Sequence, residues 1–242
     1  MDSIPNLSKE QNARLIIDFF HRIMMHHVMW FAEVQQYLGK EKAFQALNEV
    51  YKTSYDVQMK RLSKTLGFEV KDGIPALMLD LPDETLINLR ESVAANWLAN
   101  DGIWFQAVEF ANGMDNAKHC NDACWEKFSP MEAWSIKRIL NLPEQAELDG
   151  LKQALQFRLY AFINKQSITD ETPASFIFRM NDCRVQSARK RKGLDDYPCK
   201  SAGIIEYSTF AAAIDTRIKT ECIGCPPDKH PDEWYCAWKF SI

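Results

Sequence analysis

Between residues 8 and 39 the chain carries two neighbouring rows of helical period, the first at alternating steps of four and three. Phe19, Ile23, His26, Trp30, Glu33 and Tyr37 form one, and Ile16, Phe20, His27, Phe31, Val34 and Leu38 the other. That period predicts a helix with a wide buried stripe. Ser8, with Gln11 three residues on, reads as its N-terminal cap, and Gly39 as its stop. A second helix is predicted over residues 40–66, with Ala43, Leu47, Val50, Tyr51, Val57 and Leu62 as apolar contacts and Gly67 at its end.

Gly73, Pro75 and Pro82 then break the helical period. This stretch is read as a connector with a short extended piece over 76–81. Helix resumes at Asp83 with a bend near Asp101 and Gly102, and a short helix follows Gly113. A separate helix is expected to start at Ser129 as cap, Pro130 as first helical residue and Glu132 three residues after the cap. Pro143 should end it and open another to about residue 164. After Thr172 the period changes to two: Phe176, Phe178 and Met180 fall on one side, which predicts a strand. A brief helix from Arg184, a helix after Pro198 and a final hairpin of two strands complete the reading. The expected class is α+β, with a mostly helical region over 1–165 and a smaller antiparallel sheet with its helices over 172–242. No repeat and no linker separates two domains, so a single domain over 1–242 is expected.

A hydrophobic content of 46%, 12% of the residues being aromatic, is ample for a core. The formal charge of −4 provides no broad positive field, which argues against a nucleic acid partner. The first residues lack the pattern of a secretory signal, and no apolar run reaches the roughly 20 residues of a bilayer span. These features point to the cytoplasm. Seven cysteines there favour reduced thiols or a metal over a disulfide framework. Seven tryptophans and fourteen phenylalanines suit a homo-oligomer without locating its interface.

Candidate chemistry concentrates in the last quarter of the chain. Cys222, Cys225 and Cys236, with His230, Cys199 or Cys183 as the fourth, have the residue types of a zinc site, two of the cysteines being separated by two residues. Cysteine also behaves as a small buried apolar residue, so plain packing stands beside that reading. A reactive thiol is the third alternative. Cys199, between Pro198 and Lys200 at a predicted helix start, is the best placed, because a helix N-terminus favours the thiolate. Cys183, next to Arg184, is the second choice. Cys120 and Cys124, next to His119, read as packing residues. In the first helix, His26, His27 and Glu33 are candidate proton carriers beside Trp30, against the alternative of histidines at the edge of a core. Arg184 and Arg189 are candidates to hold a substrate carboxylate, and the run 188–193 is a solvated helix face or an anion-binding patch.

The segments "HHVMWFAEVQQYLGKEKAFQALN", "CRVQSARKRKGLDDYPCKSAG" and "ECIGCPPDKHPDEWYCAWKF" resemble a family of bacterial and archaeal cytosolic proteins of uncharacterised activity. That family is distantly similar to L-2-amino-thiazoline-4-carboxylic acid hydrolases, which open a small sulfur-containing ring. The resemblance implies hydrolysis of a C–N bond in a small ligand, and it transfers no catalytic residue. Two expectations follow. One is a hydrolase whose pocket draws on the His and Glu of the first helix and on the late cysteines. The other is a non-enzymatic protein whose cysteines hold a metal or respond to redox state.

Overall fold

The computed structural model describes residues 6–191, 193 and 196–242. Lys192 of the basic run, Leu194 of the expected brief helix and residues 1–5, where a signal was sought, lie outside them. Packing divides the chain into two compact units, Met1–Pro82 and Asp83–Ile242. The division falls at Pro82, inside the stretch read as a connector.

The first unit is a helical hairpin, α1 (Lys9–Leu38) and α2 (Lys40–Leu66). Ser8 Oγ accepts from the Gln11 N–H at 3.2 Å, while Gln11 Oε1 accepts from the Ser8 N–H at 2.9 Å. This reciprocal pair satisfies two of the donors a helix start leaves open. Gly39 reverses the chain at φ 86°, an angle that disfavours any Cβ. Two short strands, β1 (Val70–Lys71) and β2 (Ile74–Pro75), pair around Asp72 and Gly73, both at positive φ. An Asp-Gly turn of this kind closes a hairpin. The piece expected to be extended is instead the one-turn helix α3 (Ala76–Leu79), because the turn has already used the extended residues upstream of it. The expected buried stripe is also corrected: no residue of α1 is buried, and Phe19 and Trp30 are 46% and 63% exposed. Within the first unit α1 packs on α2 through pairs such as Phe31 and Phe44, and one helix covers only part of so wide a stripe.

The second unit begins with another long hairpin, α4 (Asp83–Asn112) and α5 (Met114–Leu140), then α6 (Glu147–Leu155) and a 3₁₀ turn over Leu159–Phe162. Strands β3 (Lys165–Thr172) and β4 (Ser175–Asp182), helices α7 (Arg184–Arg191) and α8 (Lys200–Ile214), and strands β5 (Lys219–Gly224) and β6 (Cys236–Ser241) follow. The four strands form an antiparallel sheet in the order β3-β4-β6-β5. Phe176, Phe178 and Met180 of β4 lie opposite Phe240, Trp238 and Cys236 of β6, and these six side chains face the core together with Tyr207 and Phe210 of α8. Helix α5 packs on α8, and α4 on α5. The fold is therefore α+β, as the patterning predicts.

Three expectations for this unit differ from the structure. Helix α4 runs unbroken through Asp101 and Gly102. The start signal at Ser129 lies inside α5, where Ser129, Pro130 and Glu132 are all buried. Packing of that helical face outweighs the one backbone hydrogen bond that Pro130 forfeits. The helix expected to reach about residue 164 stops at Leu155 and gives way to the 3₁₀ turn, and strand β3 follows where no strand was expected. It is a sheet edge with largely exposed polar residues, so it carries no strong apolar period.

Contrary to the expectation of no repeat, the two hairpins are alike. Each joins a 30-residue helix to a 27-residue helix through one glycine, and Gly39 and Gly113 share φ 86° and ψ 165°. At one constant offset Trp30, Phe31, Val34, Gly39 and Ala43 recur as Trp104, Phe105, Val108, Gly113 and Ala117. Both alanines are 1% exposed.

Arg158, only 1% exposed, ties the second unit together. Its Nε donates to Glu132 of α5 at 2.8 Å, and its Nη1 pairs with Glu206 of α8 at 2.7 Å. Glu132 also accepts from the Leu159 N–H at 2.9 Å. The faces of Phe210 and Tyr207 lie 4.6 Å and 5.4 Å from the guanidinium. Removing the cation would strand two buried carboxylates, so Arg158→Ala should lower the unfolding free energy by about 3–5 kcal/mol in chemical denaturation. A loss near zero would show that the triad adds nothing to stability.

Candidate functional site

Four cysteines meet in the second unit around a cavity of about 340 Å³. That is the size range of small-molecule sites. Cys199 is the N-cap residue of α8, and Cys183 sits between β4 and α7. Cys236 faces inward from β6, and Cys225 follows a bulge at the end of β5. The sulfurs of Cys199 and Cys225 are 3.5 Å apart. Their segments are pinned to each other: the Lys200 N–H donates to Pro226 O at 2.9 Å, and Lys200 Nζ pairs with Asp228 at 2.7 Å. Gly203, one turn along α8, leaves room for the ring of Trp238, since a Cβ there would lie 2.7 Å from it.

The thiols are not equivalent. Burial pushes Cys183 up to about 12. Cys225 is raised too, through its hydrogen bonds to Cys199 and Cys236 and its burial. Cys199 goes the other way: the contact with Cys225 lowers it, outweighing burial, and Gln186 Nε2, 3.6 Å from its sulfur, adds to the effect. Glu206 shares the cavity, and burial raises it to about 7 despite Arg158. Burial raises Asp101, on the same wall, as well. Three buried donors of the lining, Asn164 Nδ2, Tyr197 Oη and Trp238 Nε1, have no protein partner. Buried polar groups are rarely left so.

The residues singled out in the sequence are distributed as follows. Cys183, Cys199, Cys225, Cys236 and Arg189 line this cavity. Arg184 is exposed and does not. Cys222 lies on β5 opposite Trp238. His230 pairs with Asp196 at 2.9 Å through Nε2, and its other ring nitrogen is 2.9 Å from Pro231 O. Among the described residues no group of three or more His, Cys, Asp or Glu side chains is arranged to hold a metal. The set Cys222, Cys225, Cys236 and His230 is thus not gathered around one point, because the bulge between Cys222 and Gly224 precedes a Cys225 turned towards α8 instead. Cys120 and Cys124 are exposed free thiols on α5. His26, His27 and Trp30 line a separate cavity of about 400 Å³ within the first unit, with Phe31 and Leu47, and Glu33 is exposed outside its lining.

Glu206 and Arg158 escape the sequence reading, yet each leaves a trace. Glu206 is the one charge in the apolar run "GIIEYSTFAAAI", and Arg158 the one charge in "QALQFRLYAFI". An isolated charge in an apolar helix is a buried-group signal. Asn164, Tyr197 and Trp238 leave none, since only the tertiary structure shows that their donors are unpaired.

The second unit is thus an α+β domain with a thiol-lined internal cavity. The chain belongs to a family of unknown function (DUF6125), which matches residues 5–82 and 79–242. The two matches meet where the two compact units do. No curated protein and no solved structure matches the chain. Among the described residues no helix is long and apolar enough to cross a membrane.

Two outcomes are expected. Under limiting iodoacetamide near neutral pH, Cys199 should react ahead of Cys183 and Cys225 in a peptide map, since its acidity is shifted towards the thiolate and theirs away from it. Glu206, raised above its ordinary value, binds a proton in the fold that the unfolded chain has released. Its favourable contribution is complete below about pH 4.5 and is lost as pH rises through about 7. Burial works against the charge of His230, but its bonds to Pro231 O and Asp196 outweigh that, and its stabilisation fades with rising pH in the same sense. The melting temperature should therefore fall between about pH 5 and pH 8 and fall less steeply in Glu206→Gln.

Proposed function

We propose that the cavity of the second unit is the active site of a small-molecule hydrolase acting on a C–N bond. The observation that carries this reading is a thiol and a carboxyl group in one cavity whose acidities are drawn towards each other, Cys199 downwards and Glu206 upwards to about 7. A nucleophile needs an accessible thiolate, and a proton carrier works best near the operating pH. The Cys199 thiolate attacks the electrophilic carbon, the C–N bond breaks, and protonated Glu206 supplies a proton to the leaving nitrogen. Water then attacks the carbon bound to Cys199, giving one proton to Glu206, and the carbon–sulfur bond breaks to release the acid and restore the Cys199 thiolate. Arg189 on the wall suits an anionic substrate. The distant resemblance of the chain to L-2-amino-thiazoline-4-carboxylic acid hydrolases suits the same bond type.

The test is turnover of L-2-amino-thiazoline-4-carboxylic acid and a panel of small cyclic and linear amides, read as released amine by mass spectrometry. Cys199→Ala should abolish turnover of any compound the wild type accepts. Glu206→Gln should lower kcat by roughly 10²- to 10⁴-fold with the fold retained. Turnover unchanged in Cys199→Ala, or none by the wild type across the panel, overturns the reading.

A further inference from the structure

We infer that Cys199 and Cys225 form a reversible disulfide when the protein meets hydrogen peroxide or another hydroperoxide, with Cys199 as the sulfur attacked first and Cys225 as the one that resolves it. The geometry is in place before oxidation. The two sulfurs are 3.5 Å apart. Their neighbours are joined by the backbone bond from Lys200 to Pro226 and by the ion pair of Lys200 with Asp228. Asp228 also accepts from the Cys225 N–H at 3.4 Å, and its own N–H donates to Cys225 O at 2.9 Å. Closing the bond therefore calls for a small movement between segments that are already fastened together, which favours a sulfur–sulfur bond over continued oxidation of one sulfur.

The accessibilities of the two cysteines also differ in the required sense. Cys199 is partly exposed and opens on the cavity, so a peroxide can reach it. Cys225 is 1% exposed and is reached chiefly from Cys199 and Cys236. In the first step the Cys199 thiolate attacks one peroxide oxygen. The O–O bond breaks, water leaves after protonation, and a sulfenic acid remains on Cys199. In the second, Cys225 attacks that sulfur, the S–O bond breaks and a second water leaves. In total, two thiols and one peroxide give one disulfide and two waters, the sulfurs losing two electrons and the peroxide gaining them. A dithiol reductant reverses the bond by exchange. Cys199 is masked while the bond lasts, so on the hydrolytic reading above the oxidised protein is inactive. The sulfur chemistry itself does not depend on that reading.

The full chain, reduced and freed of reductant, is treated with one equivalent of hydrogen peroxide, alkylated and mapped under non-reducing conditions. The expected result is a peptide pair linked through Cys199 and Cys225, the loss of two hydrogens in the intact mass, and full reversal by dithiothreitol. In Cys225→Ser, dimedone should trap a sulfenic acid on Cys199 that it does not trap in the wild type. A link between other cysteines, Cys225 with Cys236 above all, overturns the inference, as does added oxygen with no link. The wild-type map decides the matter even if Cys225→Ser fails to fold. A Cys199–Cys225 link in a protein that hydrolyses nothing defeats only the hydrolase reading. Turnover insensitive to peroxide, with no link, defeats only the disulfide.

Discussion

The second unit depends on one buried cation. Arg158 leaves the chain just before the 3₁₀ turn and reaches Glu132 on α5 and Glu206 on α8, so three segments far apart in sequence meet at one guanidinium. Burial opposes the charge, and the two carboxylates outweigh it. Burial is the largest influence on Glu206 and raises it despite Arg158, with the neighbouring Glu132 adding to the rise, so this carboxyl group keeps its proton towards neutral pH. Glu206 also lines the cavity. The structural tie and the proton carrier proposed for catalysis are thus the same arrangement.

Helix α8 carries the other half of the site. Its first turn places Cys199 over the cavity, its second admits Trp238 because Gly203 has no side chain, and Glu206 follows. One rigid element therefore sets thiol, ring and carboxyl group in a line, and the β5–β6 connection brings Cys225 to the thiol. Functional groups held by helices and strands are more sharply placed than groups on free loops.

The repeated hairpin has diverged in its two settings. In the second unit the face of α5 bearing Trp125, Ala133 and Ile136 is buried. In the first, the matching positions Tyr51, Met59 and Leu62 are only partly covered or exposed. His27 and Asp101 occupy corresponding positions, and each lines the cavity of its own unit. The same backbone thus presents an imidazole in one copy and a carboxyl group in the other.

Local signals in the chain determined the helices and most of the sheet. The Ser8 cap, the glycine stops and the alternation of Phe176, Phe178 and Met180 act within a few residues, and burial on one face reinforces them. The position of Cys199 at a helix start was legible for the same reason. Tertiary structure decided the rest. Ser129 and Pro130 carry a strong local start signal, which the packing of α5 on α8 overrides. The partner of Cys199 is Cys225, not a metal shared with Cys222 and His230, because the β5 bulge and the Lys200–Pro226 bond set which sulfurs meet. Neither the shifted acidity of Glu206 nor the unpaired donors around the cavity can be read from the chain alone. Both arise from what the fold removes from water and from which distant groups it brings within a few ångströms.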